Sequence, residues 1–226
     1  MKRELKIPLA IIFAGAILAF AVYTVRHHDA STSTEDPSVV RAVDTSDHVL
    51  GNPAAPVTVI EYADIDSSYA KDFQKVMEEV IQNYGAGGNV AWVYRHLPAD
   101  PQSNSAQHAE AAECVASLSD TNTFFAFIDA LQAAAPGDNS FDPLGYDAVV
   151  TRLGLSSGTF DQCMASHTYK QRVVSDYGNA GAIGATASPF SVLLVHEQKP
   201  AIIEGSVPYP AMKKIIDASI AKALQK

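Results

Sequence analysis

The sequence predicts an α/β domain carrying an all-helical insertion, set behind a single transmembrane helix. Three observations predict it: a 19-residue, mostly apolar run from Ile7 to Val25, a strand-helix-strand pattern between Val57 and Arg95, and a long Ala-rich stretch without strand signals that precedes two further short strands. With 226 residues and 47% hydrophobic composition, the chain can build one substantial core besides its N-terminal segment.

Taken as a helix, Ile7 to Val25 would be about 28 Å long, close to the roughly 30 Å hydrocarbon thickness of a bilayer. Lys2, Arg3 and Lys6 precede it, so the positive-inside rule keeps the amino terminus cytoplasmic and sends the remainder across. Residues 1–26 are expected to be a cytoplasmic stub and uncleaved signal anchor, with the domain on the extracytoplasmic (periplasmic or extracellular) side of the cell membrane. Ala19-Phe20-Ala21 also fits the small-x-small pattern of a cleaved signal peptide, but the apolar run is longer than a usual signal core. Residues 27–46 are rich in Ser, Thr and Asp, lack apolar periodicity and read as a solvated tether. Residues 47–226 form the domain.

The formal net charge is −9, and residues 27–226 alone hold 12 basic and 24 acidic side chains. A surface this acidic, with no basic stripe and no zinc-finger spacing, excludes nucleic acid as a partner. No metal site is expected either. His27 and His28 are only two ligands, and His108, Glu110 and Glu113 do not follow a ligand spacing on their helix.

Within the domain, Val57 to Ala63 and Asn89 to Arg95 are short β-branched or aromatic runs that bracket a helical run from Ser67 to Tyr84, which Gly85-Ala86-Gly87-Gly88 ends. The region from about 103 to 184 offers five helical segments: Ser105 to Leu118, Asn122 to Ala134, Pro143 to Leu153, Ser156 to His167 and Tyr169 to Ile183. Pro189 to Val195 and Ala201 to Glu204 resemble paired strands, and Pro210 to Leu224 has helical spacing. The order is β-α-β, helices, β-β-α.

That order is accompanied by four motifs: His48-Val49-Leu50-Gly51-Asn52-Pro53-Ala54-Ala55-Pro56-Val57, Tyr94-Arg95-His96-Leu97-Pro98, Ala111-Ala112-Glu113-Cys114 and Ala187-Ser188-Pro189-Phe190. Over residues 47–225 the chain resembles the DsbA family of extracytoplasmic thiol-disulfide oxidoreductases, which implies a thioredoxin fold with a helical insertion. The positions that match the family's two redox cysteines are Ser67 and Ala70. A hydroxyl and a methyl cannot attack a disulfide or hold a mixed disulfide. Dithiol chemistry at this site is therefore excluded, and no catalytic residue and no cofactor are expected.

Cys114 and Cys163 are the only cysteines, both within the helical insertion. In an oxidising compartment they read as a structural disulfide. A relocated redox pair and two free buried thiols are the alternatives. The resemblance implies the disulfide, because relatives with this insertion often pair cysteines at these places.

The resemblance also implies that Ser188-Pro189 is a cis-proline loop facing the helix that starts near Ser67, where extended polypeptide adds to the sheet edge. Unfolded or partner polypeptide is then the expected ligand, with Ser67, Tyr69, Ser188, Pro189 and Phe190 at the contact surface, in a holdase or assembly role. Two other readings stand beside it. Asp64-Ile65-Asp66-Ser67-Ser68-Tyr69-Ala70 is similar to the motif of kappa-class glutathione transferases, in which a serine hydroxyl stabilises a glutathione thiolate, although Ser68 stands where that motif has proline. A purely structural envelope subunit is the other. A hydrolase triad on Ser67 or Ser68 with His96 or His108 lacks the nucleophile-elbow pattern, so Ser67 reads as a helix N-cap. Asp64 and Asp66 read as acidic residues favoured beside a helix N-terminus.

Overall fold

The computed structural model describes residues 37–134, 145–196 and 198–225. The expected membrane-spanning run, Ile7 to Val25, lies outside them, as does the first part of the expected tether. Among the described residues no helix is long and apolar enough to cross a membrane.

Five strands form one sheet: β1 (His48–Gly51), β2 (Val57–Ala63), β3 (Val90–His96), β4 (Phe190–Val195) and β5 (Ala201–Glu204), in the order β1-β3-β2-β4-β5. Only β2 and β3 run parallel; β1 pairs antiparallel with β3, β4 with β2, and β5 with β4. Helix α1 (Ser68–Val80) is the crossover between β2 and β3 and continues into a π-turn at Ile81–Gly85. Among the described residues, five helices of the insertion follow β3: α2 (Asn104–Leu118), α3 (Thr121–Ala134), α4 (Tyr146–Arg152), α5 (Ser157–Ser166) and α6 (Lys170–Ala182). Helix α7 (Tyr209–Ala223) closes the domain.

Both central strands are buried on both faces, which explains their unbroken apolar and aromatic runs. Along β2, Val57, Val59 and Ala63 point into the larger core, with Phe73 and Met77 of α1 and Met212 and Ile216 of α7, while Ile60 and Tyr62 point into a smaller core beside Ala180 of α6. The helices start where serines and an aspartate can satisfy free backbone N–H groups. The hydroxyl of Ser67 accepts from the Ala70 N–H at 3.3 Å, that of Ser103 from Ala106 at 3.2 Å and that of Ser156 from Thr159 at 3.3 Å, and the Asp120 carboxylate accepts from Thr123 at 2.8 Å.

Two features depart from expectation. Strand β1 is too short and too polar at its ends to show a strand pattern. It closes at Gly51, whose φ of +89° and 2.3 Å distance from an added Cβ to the Val90 carbonyl oxygen admit only glycine. The expected tether over 27–46 is a correction: from Val39 onward the chain is bound to the domain. Asn179 on α6 donates to the Val39 carbonyl at 3.2 Å and accepts from the Arg41 N–H at 3.0 Å, and the Arg41 guanidinium lies 2.9 Å from Asp176 and 3.2 Å from Asp47. Arg95 donates to the carbonyls of Arg41 and Ala42 at 2.9 and 3.2 Å, and Val40 and Val43 pack against the smaller core.

Cys114 on α2 and Cys163 on α5 form a disulfide with their Cα atoms 5.8 Å apart. The crosslink closes a separation of 49 residues, which constrains the unfolded chain by about 4 kcal/mol in the chain-entropy account. Cys114 is fully buried.

Candidate functional site

The parallel β2-α1-β3 unit delivers the end of β2 and the start of α1 to one edge of the domain. There the turn Asp64–Ser67 meets the loop before β4. The Ser188–Pro189 peptide bond is cis. The Ser188 hydroxyl accepts from the Asp64 N–H at 2.7 Å, and the Ser67 hydroxyl donates to the Ser188 carbonyl at 3.4 Å while capping α1. Two segments 121 residues apart are thus joined by side-chain to main-chain bonds at the point where Ser67 faces the cis-proline loop.

Of the five residues expected at a polypeptide-contact surface, the structure brings Ser67, Tyr69 and Ser188 to this edge with part of their surface open, while Pro189, in the same loop, is buried. Tyr69 is 69% exposed, one of the few large hydrophobic side chains so open among the described residues. Phe190 is corrected: at 2% exposure its ring belongs to the smaller core and offers no side-chain surface. Ala70 is buried beneath the first turn of α1. Ala187 is exposed, and neither its N–H nor its C=O has a hydrogen-bond partner among the described residues.

Beside the turn lies a cavity of about 360 Å³, lined by Asp64, Ser67, Leu97, Pro98, Tyr177 and Ser188 among others. Asp64 is 8% exposed, with one oxygen 2.9 Å from the Asp66 N–H and the other 3.2 Å from the Ser105 hydroxyl. Burial, more than the neighbouring Asp66 charge, pushes its carboxyl above the usual range. Asp66 itself is engaged by His108, Nδ1 to Oδ1 at 2.6 Å, so His108 is held by this carboxylate. A second cavity, of about 470 Å³, lies between α2, α5 and α6 beside the His167–Glu110 pair and is not part of this edge.

Below the site, on the larger-core face of β2, Glu61 is completely buried. Its one hydrogen bond among the described residues comes from the Trp92 Nε1–H at 2.8 Å. Burial pushes this carboxyl up to about 8, against the smaller opposing effect of the Trp92 bond. Sequence reading passed over Glu61. A lone acid inside an otherwise apolar central strand was the available signal.

A second buried acid was also missed as a partner. Glu113 Oε1 lies 3.0 Å from Nε2 of both His48 and His96 and 2.7 Å from Arg172 Nε. Burial alone would raise this carboxyl, but the His48 and His96 bonds outweigh it and hold it well below the usual range. His96 was weighed for a triad; it belongs instead to this cluster. Among the described residues no group of His, Cys, Asp and Glu is arranged to hold a metal ion.

Comparison with known proteins agrees with this architecture. The thioredoxin family model matches residues 44–218. Among solved structures, DsbA2 of Pseudomonas aeruginosa superposes with a TM-score of 0.67 at 22% identity, covering 82% of this chain and 100% of that one. The alpha-DsbA1 protein of Wolbachia pipientis gives 0.69 at 20% identity, covering 84% and 98%. A curated relative, the Na(+)/H(+) antiporter NhaA 1 of Salinispora arenicola, is 30% identical over 143 residues, 63% of this chain but 21% of its own length. The chain spans about a fifth of that relative. The strand order, the cis-proline opposite the start of α1 and the five-helix insertion between β3 and β4 all fit this grouping, and the chain belongs to the thioredoxin family, with the fold of its DsbA-type members.

Proposed function

We propose that this domain binds extended, unfolded or partner polypeptide at the Ser67–Ser188 edge without thiol chemistry, as a holdase or assembly factor. On this reading residues 7–25 hold it at the extracytoplasmic face of the cell membrane. The observation that carries the reading is the combination of an intact cis-proline loop with an unpaired main chain at Ala187 and no sulfur at Ser67 or Ala70. A peptide strand pairs through main-chain hydrogen bonds, for which a thiol is irrelevant. Tyr69 supplies the exposed, rigid aromatic surface that such contacts use as an anchor.

Phe190 has no side-chain role in this scheme, while Ser188 fixes the loop through its bond to Asp64. The disulfide is placed as a crosslink between α2 and α5, with Cys114 fully buried and Cys163 half-buried. A glutathione-transferase-like use of Ser67 is less well supported, since its hydroxyl is already engaged by the Ala70 N–H and the Ser188 carbonyl.

The test is equilibrium binding of the full-length chain to a labelled, permanently unfolded polypeptide that contains no cysteine. Saturable binding is expected, unchanged by thiol-blocking reagents and weakened about tenfold by Tyr69→Ala, the loss of one anchor worth roughly 1–2 kcal/mol. Absence of saturable binding would sink the proposal. Conjugation of glutathione to a generic electrophile would move the assignment to the enzyme.

A further inference from the structure

The cavity beside the cis-proline loop has a chemical preference written into its walls. Asp64 is its one charged lining residue; the others are Ser67, Leu97, Pro98, Ala99, Tyr177 and the small residues of the stretch from Gly181 to Ser188. No lysine or arginine borders it. Asp64 is 8% exposed as a residue, and its carboxyl is bonded by neutral donors, among them the Asp66 N–H and the Ser105 hydroxyl. The nearest other charged group at the turn, Asp66, has the same sign, and its own bond goes to His108.

Helix termini modulate this picture without reversing it. The N-terminus of α1, which favours negative charge, is capped by Ser67 and preceded by Asp64 and Asp66. On the opposite wall the C-terminal end of α6 borders the cavity at Gly181, and a helix C-terminus carries partial negative charge. A buried carboxylate facing a cavity of about 360 Å³ without a counter-ion is the complement of a long basic side chain, whose methylenes also suit the Leu97–Pro98 wall. The exposed main chain of Ala187 is part of the same lining, so a peptide added there would pass its side chains over the opening.

We infer that the domain selects polypeptide segments carrying a lysine or arginine, whose side chain enters this cavity and pairs with Asp64. The inference rests on the proposed polypeptide binding and names its substrate class. It makes Asp64 a specificity-determining residue and places the acidic character of the domain, −9 over residues 47–226, on the side of long-range attraction for the same ligands.

The experiment compares two fluorescein-labelled decapeptides of Ala, Ser, Thr and Val, one with a central lysine and one with norleucine in its place, by anisotropy against the full-length chain. The lysine peptide is expected to bind about tenfold more tightly, as a desolvated charge-assisted pair implies. In Asp64→Asn, which keeps an acceptor for the Asp66 N–H, the ratio of the two affinities should fall to about one. Ala187→Lys, at an exposed rim position that does not disturb the core, should abolish the preference by supplying a tethered cation. Equal binding of the two peptides to the parent chain overturns the inference and leaves polypeptide binding standing. Failure of both peptides to bind overturns polypeptide binding and the inference with it.

Discussion

Two buried glutamates in this molecule have opposite surroundings. Glu113, on α2, receives His48 from β1, His96 from the end of β3 and Arg172 from α6 on a single oxygen, so four elements converge on one carboxylate. Glu61, on β2, meets only the indole of Trp92. The first remains ionised because donors outweigh desolvation; the second is kept protonated through neutral pH because nothing does. Burial depth is nearly the same in both. Preorganised donors, rather than depth, decide whether an interior acid carries a charge.

The comparison can be broken most severely at Glu113. Glu113→Ala leaves Arg172 and two imidazoles facing a void and should destabilise the fold by about 3–5 kcal/mol, read from urea unfolding at pH 7. A loss under 1 kcal/mol would show that the cluster is solvated. The parent's contribution from this group has a definite sign. Its folded pKa lies below the unfolded value, so the stabilisation is present above about pH 4.5 and fades as the pH falls further.

Removing the disulfide sharpens the same contrast, since Cys114 is the neighbour of Glu113 on α2. Replacing both cysteines by alanine should cost up to about 4 kcal/mol while leaving polypeptide binding intact. If binding is lost together with the crosslink, the insertion shapes the site more directly than the geometry implies.

The effect at Glu61 depends on pH. Its folded pKa of about 8 exceeds the unfolded 4.5, so between these values the folded chain retains a proton that the unfolded chain releases. Stability from this group therefore declines as the pH rises across that window, by at most about 1.4 kcal/mol per unit. Glu61→Gln keeps an acceptor for Trp92 and removes the titration. It should match the parent near pH 5 and exceed it by about 3–4 kcal/mol at pH 9 in thermal unfolding. Identical pH profiles for parent and variant would exclude Glu61 as the source.

The architecture was largely legible because its signals are local. Val57 to Ala63 reads as a buried strand from composition alone, and Ser67, Ser103 and Ser156 mark helix starts through bonds to main chain three residues ahead. What stayed hidden depends on distant partners. The docking of Arg41 rests on Asp176, and the Glu113 cluster joins residues separated by 65, 17 and 59 positions. Phe190 was misplaced for a related reason. Alternation along β4 sends position 190 toward the α6 side of the sheet, and a single strand does not reveal which of its faces is covered.

The N-terminal turn of α1 is an electrostatic setting that favours negative charge. Ser67 caps the helix with extended backbone geometry, φ −78° and ψ 123°, and residue 70 is tucked directly beneath that turn. A sulfur substituted for the Ser67 oxygen would inherit the same Ala70 N–H and the same positive helix end, conditions that acidify a thiol well below its ordinary value. A second cysteine at position 70 would face it from one helical turn away. Two side chains, at positions 67 and 70, therefore separate this turn from one that would carry an activated thiol pair.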